Sequence, residues 1–150
     1  MPATLFVGLG SSHGDDRAGW LVADALESRL GEQVQVRRAA APLDVLHWLE
    51  GVEQLALCDA CRGIGTPGSW RRWQAPLAEL PTGRTRHSHD LGLAAALELA
   101  GRLGTLPHSI SIWGIEIHET EPGQAPSTAV ERAIAAVADD VVRHLECGHA

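Results

Sequence analysis

The stretch Leu5-Phe6-Val7-Gly8-Leu9-Gly10-Ser11-Ser12-His13-Gly14-Asp15-Asp16 runs from apolar residues through glycines into a pair of acids. A short apolar run ended by glycine reads as a buried strand entering a tight turn. From Asp16 to Leu30, Trp20, Leu21, Ala25, Leu26 and Leu30 recur at helical spacing, and Gly31 stops the helix. The chain therefore opens as strand, glycine turn and helix, and the segments that follow extend the same alternation.

Val34 and Val36 alternate with Gln35 and Arg37, which predicts a second strand. Pro42 suits a helix start, and Leu43, Leu46 and Leu49 give a short apolar stripe before Gly51. Leu55-Ala56-Leu57-Cys58-Asp59 reads as a third strand, apolar until its last residue, and Ser69–Gln74 as a fourth beyond a glycine-rich loop. Pro76 to His89 is polar and turn-rich. Leu91 to Leu103 reads as a Leu/Ala helix closed by Gly104, Ser109 to Ile117 as a strand, and Glu119 to Pro126 as a loop. Ser127 as N-cap, and Thr128 with Glu131 as a capping box, open a last helix reaching about Leu145. The order implies a single α/β domain over residues 1–150, an open, mostly parallel sheet of about five strands with helices on both faces.

Length and composition narrow the function classes. One hundred and fifty residues suit one core. No apolar run approaches the roughly 18–20 residues of a membrane span, and no secretory signal is readable at the N-terminus, so a cytoplasmic protein is expected. A net charge of −7 argues against general nucleic-acid binding. All 12 basic residues are Arg, so the chemistry cannot use a lysine Schiff base or a P-loop lysine. Three cysteines are too few for a disulfide scaffold.

In open α/β sheets, sites form at the carboxyl ends of the strands near the switch in strand order. Three segments reach that edge. The glycine turn resembles a dinucleotide loop, but Asp15 and Asp16 would set two carboxylates where a phosphate must sit. Read plainly, this pair supplies an N-cap and a first-turn acid. Asp59 ends an apolar strand, where it is either a site acid or a cap for the turn at Arg62-Gly63. Cys58 and Cys61 form Cys-x-x-Cys around it, which without a second pair reads as buried thiols rather than zinc ligands. His87-Ser88-His89-Asp90 precedes the Leu/Ala helix, with Ser88 or Asp90 as its cap. Two oxygens and an imidazole with open positions suit a borderline divalent metal.

Taken together, these residues resemble the nickel–iron hydrogenase maturation endopeptidases, a divergent branch of them. The resemblance rests on Leu5–Gly19, Leu57-Cys58-Asp59-Ala60, Ser88-His89-Asp90-Leu91-Gly92-Leu93, Trp113-Gly114-Ile115-Glu116 and Ser127–Ile134. It implies an aspartyl-type endopeptidase that removes the C-terminal extension of the hydrogenase large-subunit precursor after nickel insertion. It also implies that Asp16, Asp59 and His89 form the catalytic, metal-contacting site, with nickel supplied by the precursor. The expected partner is that precursor, met by a monomer, with no nucleic acid or membrane. The sequence departs from the family at Gly10-Ser11, where Gly-Asn is usual. It departs again at Arg38-Ala39-Ala40-Ala41-Pro42, where an Asp-Gly-Gly-Thr-like stretch is usual. His13 is a possible added ligand.

No Ser-His-Asp arrangement and no His-Glu-x-x-His motif is visible. The enzyme is therefore expected to be incomplete alone, gripping the precursor's nickel centre so that the metal polarises a carbonyl or activates water. Arg62, Arg71, Arg72, Arg84 and Arg86, near Trp70 and Trp73, form either a partner surface or a solvated face. Two other readings are a noncatalytic nickel-centre-sensing chaperone for the same precursor and a nucleotide-binding α/β protein.

Overall fold

The computed structural model describes residues 3–11, 14–74, 88–117 and 126–147, with the side chains of 14, 15, 88–92, 146 and 147 outside that description. Five strands form one sheet: β1 (Thr4–Leu9), β2 (Val34–Ala39), β3 (Gln54–Cys61), β4 (Trp70–Gln74) and β5 (Ser109–Glu116). Their spatial order is β2-β1-β3-β5-β4. All neighbours pair in parallel except β4, which runs antiparallel to β5 at the edge. The expected open, mostly parallel five-strand sheet is the observed one.

Strand burial explains the sequence pattern. β1 is buried along its whole length, and so is β3 from Leu55 onward, because both lie inside the sheet with elements on either face. Such strands read as continuous apolar runs. The edge strands β2 and β4 carry the alternating or charged residues.

Three helices, α1 (Ala18–Glu27), α2 (Ser88–Leu103) and α3 (Thr128–Cys147), cover the two faces. One core packs α1 and α3 residues such as Val22, Leu26, Val130 and Val137 on Phe6, Ala56, Cys58 and Trp113. The other packs Val45, Leu49, Leu93 and Leu97 on Leu5, Val7, Leu55, Leu57, Ile110 and Ile112. None of the helices among the described residues is long and apolar enough to cross a membrane.

Several boundaries differ from the sequence reading. The first helix begins at Ala18, after a 3-10 turn over Gly14–Arg17, and ends at Glu27. The predicted second helix is a 3-10 helix over Pro42–Trp48. With three residues per turn, Pro42 and Val45 line up toward the core, while Leu43 of the expected apolar stripe is 56% exposed. β3 continues two residues past Asp59, through Cys61, because β5 pairs with it that far. α2 begins at Ser88, three residues early, and takes His89 into its first turn. Thr128 is the first residue of α3, so the cap is Ser127, whose Oγ accepts from the Val130 N–H at 3.4 Å, rather than a Thr128–Glu131 box.

Candidate active site

The strand order reverses around β1. From β1 the chain passes to β2 on one side, and β3 then returns on the other. The carboxyl edge between β1 and β3 is therefore the switch point at which such sheets open a crevice.

Glycines let α1 land on that edge. A Cβ on Gly19 would stand 2.0 Å from the Leu9 carbonyl oxygen and 2.6 Å from that of Cys58. A Cβ on Gly8 would meet the Gly19 oxygen at 2.1 Å. Both distances are far inside contact, so helix and strands touch backbone to backbone. Gly8 and Gly10 of the glycine turn thus serve helix–sheet approach, since a Cβ on Gly10 would lie 2.7 Å from the Asp16 carbonyl oxygen. This packing explains the glycines without a nucleotide.

Asp16 lies in the 3-10 turn just ahead of α1 and is 5% exposed. It is not the N-cap: Arg17 holds that position and makes no side-chain cap bond. The Ser11 hydroxyl donates to Asp16 Oδ2 at 2.5 Å, and the Ser11 N–H donates to the Asp16 carbonyl oxygen at 3.0 Å. Gly19, three residues after Asp16, rests against the carbonyl of Cys58, the residue before Asp59. Helix packing therefore brings the Asp16 turn to the same rim as Asp59.

Asp59 is 3% exposed, and its Oδ1 accepts from the Ala60 N–H at 2.8 Å. Along β3, Leu55 and Leu57 belong to the core on the α2 side, so alternation turns Asp59 to that side also. Its register partner on β5 is Gly114, where a Cβ would stand 2.8 Å from the Trp73 ring. His89 lies in the first turn of α2, and its side chain is outside the described residues. His13 and the polar run from 75 to 87 also lie outside them. Among the described residues no three His, Cys, Asp or Glu side chains gather to hold an ion.

Glu116 is a buried acid that the sequence reading passed over. It closes β5 opposite Cys61, on the same sheet face as Asp59. Its Oε1 accepts from the Ile64 N–H at 2.7 Å, and its backbone bonds Ser69 and Gly68, so it fastens the loop after β3 to the rim. The signature that singles out Asp59, an acid closing an apolar strand, is present at Glu116 too.

Cys58 is fully buried, and burial, then the neighbouring Asp59 charge, pushes its thiol well above the ordinary range. Cys61 is buried as well. A thiol so far from ionisation is no nucleophile, and the burial of both cysteines is what the sequence led one to expect. Of the arginine cluster, Arg72 bonds Asp140 at 3.0 Å, while Arg71 is exposed and lies over the ring of the buried Trp73 at 5.3 Å. Arg84 and Arg86 lie outside the described residues. Arg38, at the unusual stretch after β2, reaches back to α1, where it binds Asp24 (Nε to Oδ1, 2.7 Å) and Glu27 (2.9 Å).

No family model matches the sequence, and neither does any curated protein. Solved structures do match. The hydrogenase-maturating endopeptidase HybD from E. coli superposes at a TM-score of 0.85 with 23% identity, over 99% of this chain and 94% of that one. The [NiFe] hydrogenase maturation protease HybD from Thermococcus kodakarensis gives 0.76 and 21%, over 95% and 98%. The hydrogenase 2 maturation peptidase from Thaumarchaeota archaeon SCGC_AB-539-E09 gives 0.69 and 28%, over 95% and 97%. This is the fold of the hydrogenase maturation proteases. The family resemblance drawn from the sequence is borne out, and the low identities fit a divergent branch. Within the maturation-protease fold, the departures at Ser11 and Arg38 become local contacts of this chain, one to Asp16 and one to α1.

Proposed function

We propose that this protein is an endopeptidase that removes the C-terminal extension of a nickel–iron hydrogenase large-subunit precursor once nickel is in place. The observation that carries this reading is the burial of Asp16 and Asp59 at the β1–β3 switch point of a maturation-protease fold. Acids are rarely this buried without pairing, hydrogen bonds or a metal, and two of them at one switch point supply the oxygen donors that a metal centre takes.

In this reading Asp16, Asp59 and His89 contact the nickel centre of the precursor, which is substrate and not a resident cofactor. Two carboxylates and an imidazole suit nickel by donor type. Carboxylates bind it in their charged form and imidazole in its neutral form. The grip orients the scissile bond beside the metal, and a carboxylate oxygen left free of the metal takes the proton of the attacking water and passes it to the leaving amine. An empty precursor lacks the group that the three side chains hold, so processing becomes a check on metal insertion. The encounter takes place in the cytoplasm, between precursor and a monomer of this chain.

Incubating the purified protein with nickel-loaded and nickel-free precursor and weighing the products tests the proposal. Loss of a C-terminal peptide from the loaded precursor alone is expected. Binding of the loaded precursor without cleavage would make the protein a metal-sensing chaperone. Cleavage of both forms would remove the metal from recognition.

A further inference from the structure

We infer that Ser11 is a positioning residue for Asp16, fixing the orientation in which that carboxylate meets the precursor's metal centre. The inference rests on the proposed function and extends it to a residue outside the three expected ligands.

Two bonds tie Ser11 to Asp16, one from the hydroxyl to Oδ2 at 2.5 Å and one from the backbone N–H to the Asp16 carbonyl oxygen at 3.0 Å. A distance of 2.5 Å is that of a charge-assisted O–H···O⁻ bond, about twice the strength of a neutral one. The backbone bond holds the serine main chain, so the hydroxyl reaches Oδ2 from an anchored base and only one side-chain rotor must be ordered.

The anchor extends further. The Gly10 N–H donates to the Ala39 carbonyl oxygen at 3.1 Å, and the Trp20 indole N–H donates to the same oxygen at 3.0 Å. Ser11 therefore follows a residue pinned to the end of β2, while Trp20, four residues after Asp16, is pinned to the same point. Both ends of the segment that carries Asp16 are fixed, and the Ser11 hydroxyl then fixes the carboxylate plane. A metal-contacting group held in this way loses little freedom on binding, which is what outer-sphere partners contribute to metal sites.

Ser11→Ala removes the hydroxyl and keeps the backbone bond, whereas Ser11→Thr keeps both. The measurement is the affinity of each variant for nickel-loaded and for nickel-free precursor, by surface plasmon resonance, with the thermal midpoint recorded alongside. Ser11→Ala is expected to weaken binding of the loaded precursor about 10–100-fold, the usual loss when an outer-sphere partner is removed. Binding of the nickel-free precursor and the thermal midpoint should stay at wild-type values, and Ser11→Thr should restore the loaded affinity. Wild-type discrimination by Ser11→Ala, alongside its loss in Asp16→Ala, would overturn the positioning role and leave the proposed function standing. Wild-type discrimination by Asp16→Ala as well would overturn the proposed function itself. Equal weakening of both precursor forms, with a lowered thermal midpoint, would make Ser11 merely structural and also overturn the inference.

Discussion

Two polar regions of this molecule place acids differently, one along a helix–strand seam and one at the carboxyl rim of the sheet. Between α3 and the strands β4 and β5, Asp140 accepts from the Trp113 indole N–H at 2.9 Å and from the Arg72 guanidinium at 3.0 Å. Beside it, Ser111 Oγ and His144 Nε2 share a hydrogen bond of 2.9 Å, and the His144 ring meets Trp113 edge-on at 5.4 Å. At the β1–β3 rim, Asp16 is held by a hydroxyl and Asp59 by an amide N–H. The Arg72 bond pairs Asp140 with a cation, whereas the bonds to Asp16 Oδ2 and Asp59 Oδ1 each orient a carboxylate at the sheet edge. The first region is a seam that joins helix to edge strand. The second is the rim at which the proposed function places contact with the precursor's metal centre.

Substitution should separate the two regions most sharply in activity. Asp16→Ala and Asp59→Ala should each lower precursor processing by more than about 100-fold, since loss of an outer-sphere partner alone reaches that range. Asp140→Ala should leave processing near the wild-type rate. Product mass spectra from nickel-loaded precursor check all three, and strong loss in Asp140→Ala would erase the contrast.

Stability should show the reverse pattern. Gly19→Ala should cost about 3 kcal/mol or more in urea unfolding, because its Cβ would stand 2.0 Å from a backbone oxygen that cannot give way. Asp140→Ala should cost about 1–3 kcal/mol by stranding the buried Trp113 indole N–H. If Asp140→Ala unfolds at the wild-type urea concentration, the seam is not structural.

The smallest effect concerns pH. Burial, then the Arg72 guanidinium, holds the His144 imidazole below its usual range, against the opposing pull of Asp140. The unfolded chain therefore takes up this proton at a higher pH than the folded one. The His144 contribution is fully present above about pH 6.5 and is lost as pH falls below it. Thermal midpoints should drop between pH 7.5 and pH 5.5, and His144→Gln should reduce that drop.

The rim was more legible in the sequence than the seam was, for physical reasons. β1 and β3 lie between two covered faces, so their apolar runs stand out, and the acid that interrupts β3 stands out with them. Asp16 was legible as an acid at a helix start, but its 3-10 turn was not, because a capping residue and a turn residue share the same composition. The second helix was misread for a related reason. Leu43, Leu46 and Leu49 suggest a helical stripe, yet the 3-10 helix turns Pro42 and Val45 inward and leaves Leu43 exposed, while Leu46 and Leu49 still reach the core. The seam depends on contacts such as Arg72 with Asp140, 68 residues apart, which no local pattern announces. Ser11 lies in the glycine turn, but its bond to Asp16 depends on the fold bringing the two together.

The account turns on one imidazole completing the set begun by Asp16 and Asp59. The most direct measurement is the rate at which His89→Ala processes nickel-loaded precursor, taken on protein whose cooperative melt matches the wild type. The account predicts that processing is lost while the melt is unchanged. A normal rate in that variant would contradict it.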